Sequence, residues 1–193
     1  MVSLRDRLDL LESDLFATPP RFALHADLPF AILRYDAERE WELRREVSLL
    51  ATRLENRGRQ VLRISLADLL WQAVDHSEGM EAVVELERTR GFEEAERQLT
   101  VYLSDPDFQP LPHLLEERLS VADPARSVAF LERAAAMAPH IYPMSRLLEE
   151  MQGRTRVPAI LFYPGTIEGV TGLRFMGMED REPMGNYRVK VYS

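Results

Sequence analysis

Residues 30–65, FAILRYDAEREWELRREVSLLATRLENRGRQVLRIS, decide the fold. The opening FAILRY is an almost unbroken apolar run, as expected of a strand covered on both faces. After it the period changes. Leu43, Val47, Leu50 and Leu54 recur at the spacing of one helix face. Asp36 is placed to cap that helix, with Glu38 and Glu40 near its positive end, and Gly58 can end it. QVLRIS then reads as a second strand. So compact a strand–helix–strand run is a βαβ unit, which requires parallel pairing and a right-handed crossover.

Working outward, Leu4, Leu8, Leu11 and Leu15 predict an amphipathic helix over residues 3–16, stopped by the Thr-Pro-Pro at 18–20. It either lies on the domain or docks on a partner. Downstream, SLAD at 65–68 opens a helix through Val74 with a capping-box-like pattern, Asp standing in for Glu. Residues 79–120 are helical in pattern, with breaks at Gly91 and over 104–112, and interrupt the strand–helix alternation as an insertion. The alternation resumes with a strand at 127–131, a helix from Pro143 to Gln152 and a strand at 158–163. That last strand opens VPAILFYPGTIEGVTG (157–172), which reads as a core strand running into a Gly- and Thr-rich loop. Residues 173–178 and 187–192 look like two final strands joined by a polar turn, paired antiparallel. The expected architecture is one α/β domain over 1–193. Its central, mostly parallel sheet has five to six strands flanked by helices, with a helical insertion and a C-terminal antiparallel strand pair.

The chain has 193 residues and a formal charge of −8, with 46% hydrophobic residues, so it can bury a sizeable core. An acidic balance does not suit a protein whose main task is gripping nucleic-acid phosphates, and direct nucleic-acid binding is not expected. With no cysteine, disulfides, thiolate metal sites and a cysteine nucleophile are excluded. Lys190 is the only lysine and lies in a predicted strand, which excludes a Walker-type phosphate loop. His25, His76, His113 and His140 show no metal-ligand spacing, and no serine sits in Gly-x-Ser-x-Gly. The N-terminus lacks a signal-type apolar core, and no apolar run reaches the ~20 residues of a bilayer span. The expectation is a cytoplasmic protein without a membrane segment.

No catalytic residue, cofactor or metal ligand is assigned from these patterns. In a parallel sheet, ligands usually sit outside the carboxyl ends of the strands. Asp36, Glu132, Arg133, Tyr163, Gly165 and Thr166 fall there and form a candidate ligand or docking rim; the more ordinary role for such residues is to cap helices and fill loop hydrogen bonds. Alternation on the last strand puts Arg188, Lys190 and Tyr192 on one face, a candidate docking edge.

Three long phrases carry a resemblance: SLRDRLDLLESDLFATPPRF (3–22), the stretch LPFAILRY through SLADLLW (28–71), and MSRLLEEMQGRTRVPAILFYPG through GNYRVKVY (144–192). They resemble the BrxB family of bacterial BREX (bacteriophage exclusion) systems, most of all at FYPG (162–165) and GNYR (185–188). The resemblance implies a non-catalytic adaptor or assembly subunit that supports host DNA methylation and phage exclusion. It also implies other BREX proteins as partners: first the phosphatase-like PglZ, then the methyltransferase PglX or the ATPase BrxC. The alternative reading is a nucleotide-binding or hydrolysing α/β domain with an unorthodox site at the 163–172 rim.

Overall fold

The computed structural model describes residues 3–25, 27–168, 172–178 and 188–193. Its centre is a six-stranded sheet of β1 (Phe30–Tyr35), β2 (Gln60–Ser65), β3 (Ser127–Glu132), β4 (Ala159–Glu168), β5 (Gly172–Phe175) and β6 (Lys190–Tyr192). The order is β2-β3-β4-β1-β6, every neighbouring pair parallel, with β5 attached antiparallel to β4. The mostly parallel α/β architecture is the one the 30–65 phrase demands.

The helices are α1 (Leu4–Phe16), α2 (Glu40–Asn56), α3 (Leu66–Asp75), α4 (Gly79–Arg90), α5 (Phe92–Ser104), α6 (Leu111–Ser120) and α7 (Met144–Glu150). Between β1 and β2 the chain travels one way across the sheet; through β3 to β4 it travels back. With right-handed crossovers, that reversal must send the two sets of helices to opposite faces. The apolar clusters bear this out. Leu8 and Leu11 of α1 and Leu43, Val47 and Leu50 of α2 pack on Ala31, Leu33, Phe130 and Phe162. Leu69 of α3, Leu103 of α5, Leu115 of α6 and Leu147 of α7 pack on Phe30, Ile32, Leu131 and Leu161. Consecutive residues of one strand therefore serve different layers, which is why β1 is buried at every position.

The N-terminal helix lies on the domain. Ser3 caps it in a full capping box with Asp6, and Leu4, Leu8, Leu11 and Leu15 sink into the same layer as α2. Arg53 of α2 reaches Glu12 at 2.7 Å and Asp9 at 3.3 Å, fastening the two helices along their outer edges.

The ends of two strands differ from expectation. β4 does not stop at Tyr163 but continues to Glu168, and Gly165 through Glu168 pair antiparallel with β5. The antiparallel pair is thus β4 with β5. The last strand instead joins β1 in parallel, Ile32 opposite Val191. Gly165 explains the extension: a Cβ there would lie 2.2 Å from the Arg174 carbonyl oxygen, so only glycine lets β5 close against β4. Tyr187, the start expected for the final strand, and residues 169–171 of the Gly- and Thr-rich stretch lie outside the described residues.

Candidate functional site

A cleft of about 440 Å3 opens outside the carboxyl ends of β1, β3 and β4, where β1 leads to α2 on one face of the sheet and β3 leads to α7 on the other. Tyr35 ends β1 and forms part of its wall. Ala37, Glu40 and Arg44 come from the turn into α2 and its first coils, and Ala67 from the first turn of α3. Arg133, Ala135 and Ala136 come from the short 3-10 turn after β3, Pro164 from β4, and Met176 from the turn after β5. Elements far apart in sequence thus meet here because the sheet is parallel.

Tyr35 donates its hydroxyl hydrogen to Glu40, and Arg44 holds the other oxygen of that carboxylate at 2.8 Å. Burial and the adjacent carboxylate push the Tyr35 phenol well above its ordinary range, so it stays a donor. The Arg44 guanidinium also stacks 4.9 Å from the centre of the Trp41 ring, which is 79% exposed. Arg133 sits in the left-handed region at φ 61, uncommon for a residue with a side chain. Its partner Asp68 is 3.7 Å away, beyond hydrogen-bond distance, and both side chains are more than half exposed. Met176, also in the cleft wall, has φ 54.

Of the rim residues expected from the sequence, only Arg133 lines this cleft. Asp36 does not cap the following helix. Its carboxylate turns to the guanidinium of Arg34, which also donates to the Gly165 carbonyl at 3.2 Å. Glu132 is taken by a two-pronged pair with Arg63, at 2.6 and 2.7 Å. Tyr163 is 1% exposed and stacks edge-on against Phe175 in the core. Gly165 and Thr166 belong to the β4–β5 ladder and not to a loop, with Gly165 buried and Thr166 exposed.

On the candidate docking edge, Arg188 is exposed, whereas Tyr192 is 2% exposed and turned inward. Tyr192 donates to Asp14 at 2.7 Å, and Lys190 reaches the same carboxylate oxygen and the Arg21 carbonyl. This cluster fastens the last strand to the first helix. Desolvation pushes the Asp14 carboxyl up, but the hydrogen bonds from Lys190 and Tyr192 outweigh it and hold the group below its ordinary value.

The sequence reading missed Tyr35, Glu40, Arg44 and Met176. A signal for the first three was present: a tyrosine at a strand end followed by Glu and Arg one helical turn apart. Arg34 carried a stronger one, a charge in the middle of a strand apolar on both sides. It is 7% exposed, and its Nε has no partner among the described residues. Among the described residues, no three His, Asp or Glu side chains gather as they would around a metal ion, and no helix is long and apolar enough to cross a membrane.

The fold and its rim define a parallel α/β protein with a carboxyl-edge cleft whose flanking charges are largely matched in pairs. The family model described as BREX protein BrxB matches residues 62–190, well over half of the chain. The chain belongs to the BrxB family and so to BREX phage defence. No curated protein and no solved structure matches it.

Proposed function

We propose that the chain is a non-catalytic assembly subunit of a BREX-type phage-defence complex, working in the cytoplasm as a single domain. Membership of the BrxB family carries the reading. The state of the rim supports it. Asp36, Glu40 and Glu132 are each bonded to an arginine, so these three rim carboxylates are spent on holding structure rather than poised as a base.

The surface offers uneven charge to a partner. Residues 39–63, covering α2 and β2, hold seven arginines against four glutamates. Residues 78–97, in the α4–α5 hairpin, hold seven glutamates against three arginines. Trp41 and Leu49 stand exposed on the first region and Phe92 on the second, the residue types that anchor interfaces. The acidic hairpin suits a basic partner surface, whereas the arginines of α2 and β2 are largely matched by carboxylates, among them Glu12 and Glu132. The first partner is PglZ, with PglX and BrxC as further candidates, and the service performed is to host DNA methylation and phage exclusion.

The test is co-purification from cells expressing the chain with its neighbouring BREX genes. A tagged chain is expected to bring down PglZ in a fixed ratio. Recovery of the chain alone, while the other proteins remain associated with one another, would defeat the assembly role.

A further inference from the structure

We propose that the cleft outside the carboxyl ends of β1, β3 and β4 is a binding site for a mononucleotide, with the phosphate on Arg133 and Arg44 and the base against the alanine-lined wall. Its position is the one where parallel α/β sheets hold ligands, at the reversal of chain direction. Its volume of about 440 Å3 lies within the range of small-molecule sites.

The lining divides into two chemistries. Arg44 and Arg133 supply two guanidiniums from separate elements, against one carboxylate, Glu40, already satisfied by Tyr35 and Arg44. The cleft therefore favours an anion. Arg133 is the more available of the two. Its contact with exposed Asp68 at 3.7 Å is a weak surface pair, easily exchanged for a two-pronged bond to phosphate. Arg44 has donors left over, since a guanidinium carries five N–H groups and Glu40 takes one of them. The first-turn amides of α3 lack helical partners, and Ser65 satisfies only that of Asp68, which leaves the N–H of Ala67 at the cleft wall unspent within the helix.

The remaining wall is small and apolar: Ala37, Ala67, Ala135, Ala136, Pro164 and Met176. Four methyl-sized side chains in the lining leave room for a flat ring. Pro164 and Met176 are tied together, since the Met176 amide donates to the Pro164 carbonyl at 2.9 Å. Of the three non-glycine residues with positive φ among the described residues, two, Arg133 and Met176, stand in this same lining, where the surrounding structure holds a costly conformation. With Glu40 engaged by Tyr35 and Arg44, the role proposed for the cleft is binding.

The full chain would be screened by thermal unfolding and calorimetric titration against AMP, GMP, CMP, UMP and ATP, with adenosine and inorganic phosphate as the two halves. At least one nucleotide is expected to raise Tm by about 5–10 °C at a hundredfold excess over its Kd. Each half alone is expected to bind at least about tenfold more weakly. Arg133→Gln, an exposed change that leaves the core intact, should weaken the nucleotide by about tenfold or more. Asp68→Asn should tighten it, by releasing Arg133, and Ala136→Leu should abolish it by filling the cleft; the ligand-free Tm of each variant reports folding. The proposal fails if no nucleotide binds, if binding survives both Arg133→Gln and Ala136→Leu in folded protein, or if inorganic phosphate binds as tightly as the nucleotides.

Discussion

The central strands and the α4–α5 hairpin are built on opposite terms. β1 is buried at all six positions, and β4 is buried from Ala159 to Gly165. Of the twelve residues of α4, only Val83 is buried, and α5 adds Ala95, Tyr102 and Leu103. In the strands each side chain is answerable to a packed layer, so a polar one must be paired, as Arg34 is by Asp36 and the Gly165 carbonyl. The hairpin's glutamates answer mainly to solvent, and its sequence is free to carry charge for other purposes. The difference separates residues that hold the fold from residues available for partners.

Phe162 is the place to strike the first kind. It is fully buried and packs edge-on against Phe130, ring centres 5.3 Å apart. Phe162→Ala is expected to cost about 3–5 kcal/mol in urea unfolding, from lost burial and the cavity left behind. A cost under about 1 kcal/mol would mean that the β4 layer is not packed as described.

Gly165→Ala probes the strand where it leaves the core. A Cβ would meet the Arg174 carbonyl at 2.2 Å, and that obstacle is backbone, which cannot swing aside. The expected cost is about 3 kcal/mol, at the upper end for overpacking, with loss of amide protection over 172–175. Unchanged stability and protection would show that β5 is not held against β4.

Asp14 sharpens the comparison through charge. Asp14→Ala removes the acceptor of Lys190 and Tyr192 and should cost about 2 kcal/mol at neutral pH. The folded carboxyl titrates below its unfolded value, so its contribution is complete above about pH 4 and disappears as pH falls through the folded pKa. Urea unfolding of both proteins across acid pH should show the gap between them closing on that limb. A gap that stays constant would remove the carboxylate from the explanation.

The bounds of β1 and β2 and the presence of the helices were legible because burial on one or two faces writes a period into the chain, although α2 opens at Glu40 and not at an Asp36 cap. α2 is the clearest case, its stripe Leu43, Val47, Leu50 and Leu54 buried as spaced. What was not legible depended on partners remote in sequence. The Pro-Gly after Tyr163 reads locally as the end of a strand, and only the approach of Arg174 shows that Gly165 continues one. Likewise the alternation of Lys190 and Tyr192 was correctly periodic, but periodicity does not say that Asp14 waits on that side. At the rim, strand ends located the cleft, while side-chain pairing decided which residues reach it: Arg133 does, and Asp36 and Glu132 are drawn off by Arg34 and Arg63.

The smallest effect on stability belongs to Phe92, and it tests the second half of the comparison. Phe92 follows Gly91 at the hairpin turn and is 56% exposed, with Glu93 and Glu94 beside it. Gly91 has φ 92, so the turn itself is set by glycine, not by the ring. Phe92→Ser should therefore change unfolding by no more than about 0.5 kcal/mol. If the hairpin is a partner-facing arm, the same change should lower recovery of BREX proteins with the tagged chain, since an exposed aromatic among like charges is the natural anchor for a basic surface with an apolar socket. A loss of stability approaching that of Phe162→Ala would place Phe92 in the core and erase the distinction. Unchanged stability with unchanged recovery would leave the distinction standing but move the docking surface off the hairpin, toward Trp41 and Leu49 on α2.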